Sequence, residues 1–295
     1  MISTPEEVNS VLNNIKLFAF DMDGVIRIGQ HPVEGSENIF PLLKKMGKES
    51  LIITNECRYT PEEILEDLTE MGVNVDSDLR VLTAGQMVRQ YLQEKAQRFP
   101  GENISIGLIG EQGLYDTINP ITQMKNVEIC ETPPKYKTKN FLIIGTLNKI
   151  KISNLEKTLK WVKSNSKIIL TCDDVSDPSS KGDFTLGMPK HILHMTNFNL
   201  QTTQAYSCGK PNPIVARKIL EGCEIKPEEV LLVGDTLYTD IRLAEENNFK
   251  SLLVLSGNTK KEGVKSYVTE ADLILPSIKD LYKILVKRDN PTSPV

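Results

Sequence analysis

A chain of 295 residues, 39% apolar and 25% charged, is long enough for one large globular domain or two moderate ones. Its net charge of −4 and pI near 5.6 argue against a broad nucleic-acid surface. No run reaches the roughly 18 apolar residues needed to cross a bilayer, so no membrane partner is expected.

The first stretch, MISTPEEVNSVLNNIK, is polar and acidic, unlike a secretory or transit peptide. The five cysteines (Cys57, Cys130, Cys172, Cys208 and Cys223) are odd in number, widely spaced and free of any C-x-x-C pair. That usage fits free thiols in a reducing compartment, hence a cytoplasmic protein. His191 and His194 have no cysteine or Glu-x-x-His pattern beside them, so they and His31 read as surface or packing residues.

In chain order, an amphipathic helix over 6–14 precedes the apolar strand KLFAF (16–20). A helix around SENIFPLLKKMG is interrupted by Pro41 and closed by Gly47. SLIIT (50–54) is a second buried strand. Thr60, Pro61 and Glu63 then make a capping box with proline at the first helical position, and Gly72 ends that helix. From about residue 78 the alternation resumes with the helix TAGQMVRQYLQEKA, the strand NISIGLIG, the short helix EQGLYDTI and the strand NFLIIG (140–145). The helix SNLEKTLKWVKSN, with Trp161 packed inward, and the strand KIILTCD (167–173) follow. After about residue 205, CGKPNPIVARKILEG runs from loop into helix, VLLVGD (230–235) is a strand, TDIRLAEENN a helix and KSLLVLSG a strand. ADLILPSIKDLYKIL supplies a last strand and helix, and the tail KRDNPTSPV reads as frayed. Alternating strands and helices predict parallel sheets. The order suggests an α/β domain in two pieces, 1–78 and 204–295, with a second α/β domain inserted at 79–203.

Ligands of parallel sheets sit beyond the carboxyl ends of the strands. Three of these strands run into polar residues there: Asp21 and Asp23 before Gly24, Thr54 and Asn55, and Asp235 with Asp240 five residues on. Lys210, in GKP before a helix, adds a cation. Crowded carboxylates raise one another's pKa, and a hard dication such as Mg²⁺ would relieve that repulsion. Thr54, backbone amides and Lys210 would supply donors to a phosphate. Each residue taken singly also has a plainer reading: an Asp-Gly turn, a strand-end threonine, a solvated lysine, and an N-cap with a first-turn acid.

Four motifs occur together and in order: D-x-D-G after a strand, Thr closing a second strand, Lys in G-K-P, and G-D-T-x-x-T-D-I. In this combination the chain closely resembles the haloacid dehalogenase superfamily. PVEGSENIFPLLKKMG, ITN, RYTPEEI and GKPNP further resemble the subclass IIA branch with a large α/β cap. That branch includes phosphoglycolate phosphatase, pyridoxal phosphate phosphatase and 4-nitrophenylphosphatase. The likeness is clear over 16–75 and 205–258 and thinner across the cap.

The resemblance implies a Rossmann-like parallel-sheet core with an inserted α/β cap, and a Mg²⁺-dependent phosphomonoesterase acting on a small phosphorylated metabolite. Asp21 would be the nucleophile and Asp23 the general acid and base. Asp21, the backbone carbonyl of Asp23, and Asp235 would hold the metal. Thr54, with amides near Asp23, Gly24 and Asn55, would bind the phosphoryl group, and Lys210 would pair with nucleophile and phosphate. Asp240 would orient Lys210 or a metal-bound water. The chain departs from the branch at TNECR, where relatives read TNNSS, and in the cap, where TCDDVSD and FTLGMPKH replace T-N-x-D and P-G-x-G. Asp173 or Asp174 then fills the substrate-facing acidic position. Phosphoglycolate, pyridoxal phosphate, nucleotide and 4-nitrophenyl phosphate type substrates all fit, and a homodimer through the cap is expected. The competing readings are a phosphotransferase or mutase on sugar phosphates and a non-catalytic regulatory protein on the same fold.

Overall fold

Every residue of the strand Leu17–Asp21 is buried, because it lies between two parallel neighbours with apolar side chains packed on both faces. The computed structural model describes residues 2–136, 138–174, 187–196, 205–266 and 269–290. In chain order the strands are β1 (Leu17–Asp21), β2 (Arg27–Ile28), β3 (His31–Pro32), β4 (Glu49–Thr54), β5 (Arg80–Thr83), β6 (Ile104–Ile109), β7 (Val127–Ile129), β8 (Lys139–Ile144), β9 (Lys167–Leu170), β10 (Ala205–Ser207), β11 (Val230–Gly234), β12 (Lys250–Val254) and β13 (Leu273–Leu275). They form two parallel sheets, ordered β13-β12-β11-β1-β4-β5 and β10-β9-β8-β6-β7, and the antiparallel hairpin β2–β3.

In the first sheet the chain builds outward from β1 in both directions, through β4 and β5 on one side and through β11, β12 and β13 on the other. The crevice where the order reverses is where a doubly wound sheet takes its ligands. Register sets what faces that crevice. Phe20 is level with Val233 and Asp21 with Ile53, so Asp21, Thr54 and Asp235 leave their strands at nearly the same height. Side chains of β1 alternate faces. Phe18 and Phe20 stack at 6.1 Å and join Phe40, Ile52 and Leu281 on one face, while Leu17 and Ala19 pack with Val88 and Ile214 on the other.

By strand pairing, β5 belongs to the first sheet and β10 to the second. The sheets therefore exchange within 84–103 and 208–229, a few residues inward and outward of the expected breaks, and residues 197–204, which hold the second break, lie outside the described residues. Strands of three or four residues carry too little periodicity to reveal which sheet they join. The helix Ala84–Arg98 carries its buried Met87, Val88 and Leu92 into one apolar cluster with Ile104 and Ile106 of the second sheet, so a continuous core spans both sheets. Thr60 and Glu63 form the expected capping box at the start of the helix Pro61–Glu70. The tail residues 291–295 lie outside the described residues. No helix among the described residues is long and apolar enough to cross a membrane.

Trp161 is fully buried in the second sheet's core, where a Cβ on Gly107 would stand 2.4 Å from its ring. Gly107→Ala is expected to destabilise the protein by about 1–3 kcal/mol through overpacking, read as a lowered melting temperature, and an unchanged melting temperature would show that the ring can move aside.

Candidate active site

The strand ends at the switch point bring four of the anticipated residues into direct contact or near contact. Lys210 Nζ donates to Asp21 Oδ1 at 2.6 Å and to Asp240 Oδ1 at 2.7 Å, and the lysine is 3% exposed. Ligand-capable oxygens of Asp21, Asp235 and Asp240 all lie within 4.8 Å of one another, and all three residues are buried. Burial raises the Asp21 carboxyl well above the usual range, Asp240 adds to the rise, and Lys210 partly offsets it. Burial and the nearby Asp240 likewise push Asp235 up to about 7. Burial opposes the charge on Lys210, but Asp21 and Asp240 outweigh it and raise that ammonium above the ordinary lysine range. One lysine faces three buried carboxyl groups, so the site offers more oxygen donors than a single ammonium can engage. An all-oxygen donor set of this kind fits a hard dication such as Mg²⁺.

Local backbone chemistry aims each group. A five-residue turn, Leu237–Ile241, carries Asp240 back under β11, where Asp240 Oδ2 accepts from the Thr236 amide at 3.1 Å. A Cβ on Gly234 would stand 2.2 Å from Asp240 Cβ, so only glycine lets the turn close this tightly. Asp235 Oδ1 accepts from the Thr236 hydroxyl at 2.7 Å and Oδ2 from the Asn258 amide at 2.5 Å. Gly24 has φ +90°, and a Cβ there would meet Asp235 Oδ2 at 2.4 Å. Gly257 comes closer still, its added Cβ falling 1.9 Å from the same oxygen. Ser256, Gly257 and Asn258, in the loop after β12, escape sequence reasoning because nothing marks that loop as chemical. Ser256 Oγ donates to the Gly24 carbonyl at 2.6 Å, which ties the loop to the turn after β1.

Thr54 lines the same hollow, its Oγ accepting from the Glu56 amide at 3.0 Å. Asn55 is a tie between loops: its Oδ1 accepts from the Lys210 amide at 2.8 Å and its Nδ2 donates to Asp174 Oδ2 at 2.8 Å. The Gly24 amide is engaged by the Arg27 carbonyl at 2.7 Å. Asp23 sits at the rim, its Oδ1 accepting from Arg27 Nε at 3.0 Å. The departure at TNECR has a local logic. Buried Glu56 accepts from the Cys57 and Arg58 amides and from the Arg58 guanidinium, which holds Arg58 against the hollow. The second sheet overhangs the site through Thr146, Cys172, Asp174 and Met188. Burial pushes the Cys57 thiol up to about 11 and Cys208 higher still, so both are poor nucleophiles. The one cluster of potential metal ligands among the described residues contains none of the histidines.

Of Asp173 and Asp174, Asp174 is the one that lines the hollow. Removal from water pushes its carboxyl up to about 6, partly offset by the Asn55 hydrogen bond. A raised folded-state pKa means that the folded protein binds the extra proton between about pH 4 and 6, so ionisation costs stability as pH rises through that window. Asp174→Asn should therefore gain stability relative to the wild type from pH 4 to 6 and hold a constant difference above, in parallel thermal melts. A difference independent of pH would contradict this.

Models of haloacid dehalogenase-like hydrolases match both arms of the chain, one over residues 18–120 and a HAD-hydrolase-like one over 207–281. Sugar-phosphatase AraL of Bacillus subtilis is 24% identical over 90% of this chain and 91% of its own. The crystal structure of a 4-nitrophenylphosphatase from Thermotoga maritima superposes with a TM-score of 0.78 at 27% identity, covering 92% of this chain and 98% of that one. A glycerol phosphate phosphatase from Mycobacterium tuberculosis, solved in complex with magnesium, shares the fold with a TM-score of 0.76 at 17% identity over 92% of this chain and 78% of its own. With family models matching 18–120 and 207–281 and a shared fold along nearly the whole length, the chain belongs to the haloacid dehalogenase-like hydrolases, among the phosphatases of that family.

Proposed function

We propose that the protein is a Mg²⁺-dependent phosphomonoesterase for small phosphorylated metabolites that works through an aspartyl-phosphate on Asp21. The observation that carries this reading is the buried contact of Lys210 with Asp21 and Asp240, set beside Asp235 at the switch point of the sheet. An Asp21 carboxylate oxygen bonds to phosphorus while the P–O ester bond breaks, and the departing oxygen takes its electron pair together with the proton of the Asp23 carboxyl. Asp23, now ionised, takes a proton from water as the water oxygen bonds to phosphorus and the Asp21–phosphorus bond breaks. Thr54 and Lys210 hold the phosphoryl oxygens, and Asn55 keeps the Lys210 backbone in place. Asp21, Asp235 and the main-chain carbonyl of Asp23 would hold Mg²⁺, which when bound offsets the mutual repulsion of the carboxylates and the charge of the transferred group.

In this reading the second sheet and the segment around it, residues 79–203, serve as a cap over the phosphate site. The hollow beneath Thr146, Asp174 and Met188 is also lined by Asp21, Thr54 and Lys210, so an ester bound there would touch the second sheet and the phosphate site together. The relatives bear the names of sugar and 4-nitrophenyl phosphatases, which puts sugar phosphates first among the substrates to try.

With 4-nitrophenyl phosphate and Mg²⁺, the wild type should release nitrophenolate, and Asp21→Asn should lose about a thousandfold or more in kcat. Mass spectrometry after rapid quenching should find phosphate on Asp21 of the wild type. Full activity in Asp21→Asn would remove that residue from the role of nucleophile.

A further inference from the structure

We propose that Arg27 is a positioning residue that holds the Asp23 carboxyl against the leaving group, with Asp67 as its outer anchor. This rests on Asp23 being the general acid. Arg27 opens the β2–β3 hairpin and is 6% exposed, an unusual place for a guanidinium. Its Nε donates to Asp23 Oδ1 at 3.0 Å, and its Nη1 donates to the carboxylate of Asp67 on the helix Pro61–Glu70. The backbone repeats the tie: the Gly24 amide donates to the Arg27 carbonyl at 2.7 Å, and the Arg27 amide donates to the Met22 carbonyl at 3.1 Å.

This chain of contacts runs from the helix, through a buried cation, to the rim of the phosphate site. Asp23 and Arg58 border two hollows at once. One is the phosphate site, and the other is lined by Arg27, Gln30, Tyr59 and Asp67. Arg27 therefore grips Asp23 from the side that faces the second hollow. The Asp23 side chain is 23% exposed, and a carboxyl so placed has several rotamers within reach of water. A charge-assisted hydrogen bond from a buried guanidinium to one oxygen narrows that freedom, and an acid works only when it lies within hydrogen-bond reach of the oxygen it protonates. Arg27 reaches the two carboxylates through different nitrogens, Nε and Nη1, a separation that the single ammonium of a lysine does not offer. Asp67 in turn keeps the guanidinium from leaving a buried site with one partner.

The role separates from general stability by leaving group. Nitrophenolate departs without a proton, whereas an alkoxide needs one, so loss of acid positioning falls on alkyl esters. The test measures kcat/KM for 4-nitrophenyl phosphate and for a simple alkyl monophosphate with Mg²⁺, in the wild type, Arg27→Gln, Asp67→Asn and Asp23→Asn, with melting temperatures alongside. Arg27→Gln should lose about tenfold more on the alkyl ester than on the nitrophenyl ester, a fraction of the 10²–10⁴-fold that a positioned acid supplies. Asp67→Asn, at a more exposed position, should fold normally and show a smaller loss in the same direction. Equal losses on both esters in Arg27→Gln and Asp67→Asn, with a selective loss in Asp23→Asn, would overturn the role of Arg27 alone. An unselective loss in Asp23→Asn would overturn the acid assignment and the inference with it. If Arg27→Gln does not fold, the Asp67→Asn comparison decides.

Discussion

Three carboxylates held out of water within 4.8 Å of one another, with one lysine between two of them, are the constraint on which the site depends. Like charges so close are expensive when buried, and Asp21 and Asp235 both respond with raised pKa values. A fold that keeps such a cluster must hold it by force elsewhere. Here the force is the parallel sheet: β1 and its neighbours β4 and β11 are apolar along their buried lengths, and their register brings the polar ends out at one level. The glycines at 24, 234 and 257 let backbone pass within van der Waals contact of Asp235 and Asp240, where any side chain would collide.

Around that centre, small ties determine what each group can do. Asn55 joins the Lys210 loop to Asp174 on the second-sheet side, so one amide side chain links the phosphate site to the overhanging sheet. Glu56 folds the loop after β4 on itself and points Arg58 along the rim. Arg27 does the equivalent for Asp23 from the opposite side. The cluster of buried charge is thus ringed by charged pairs that position groups more than they stabilise the fold, since each buried pair roughly repays its own desolvation.

Much of this is legible in the sequence for a physical reason. An apolar strand that ends in a polar residue is local information, and Asp21, Thr54 and Asp235 each sit within two residues of such a boundary. Lys210 and Asp240 are readable because the motifs around them are compact. The rest depends on the tertiary fold. Asn258 and Gly257 matter only because β12 lies beside β11, and no local pattern reveals that neighbour. Asn55 is expected to offer a backbone amide to phosphate, but the second use of this residue, a side chain bonded to Lys210 and Asp174 more than a hundred positions away, depends on the tertiary fold. Arg27 is invisible to periodicity, because β2 spans two residues. The sheet membership of β5 and β10 is hidden for the same reason.

The central claim, that the crowded carboxylates form a dication site, is tested most directly by thermal denaturation across a Mg²⁺ titration. A ligand that binds only the folded state stabilises it by RT ln(1 + [L]/Kd), so the wild-type melting temperature should climb with Mg²⁺ and continue to climb past saturation as the logarithm of concentration. Asp235→Asn should melt at a temperature that Mg²⁺ leaves unchanged. A wild-type melting temperature indifferent to Mg²⁺, or an equal rise in Asp235→Asn, would contradict the account.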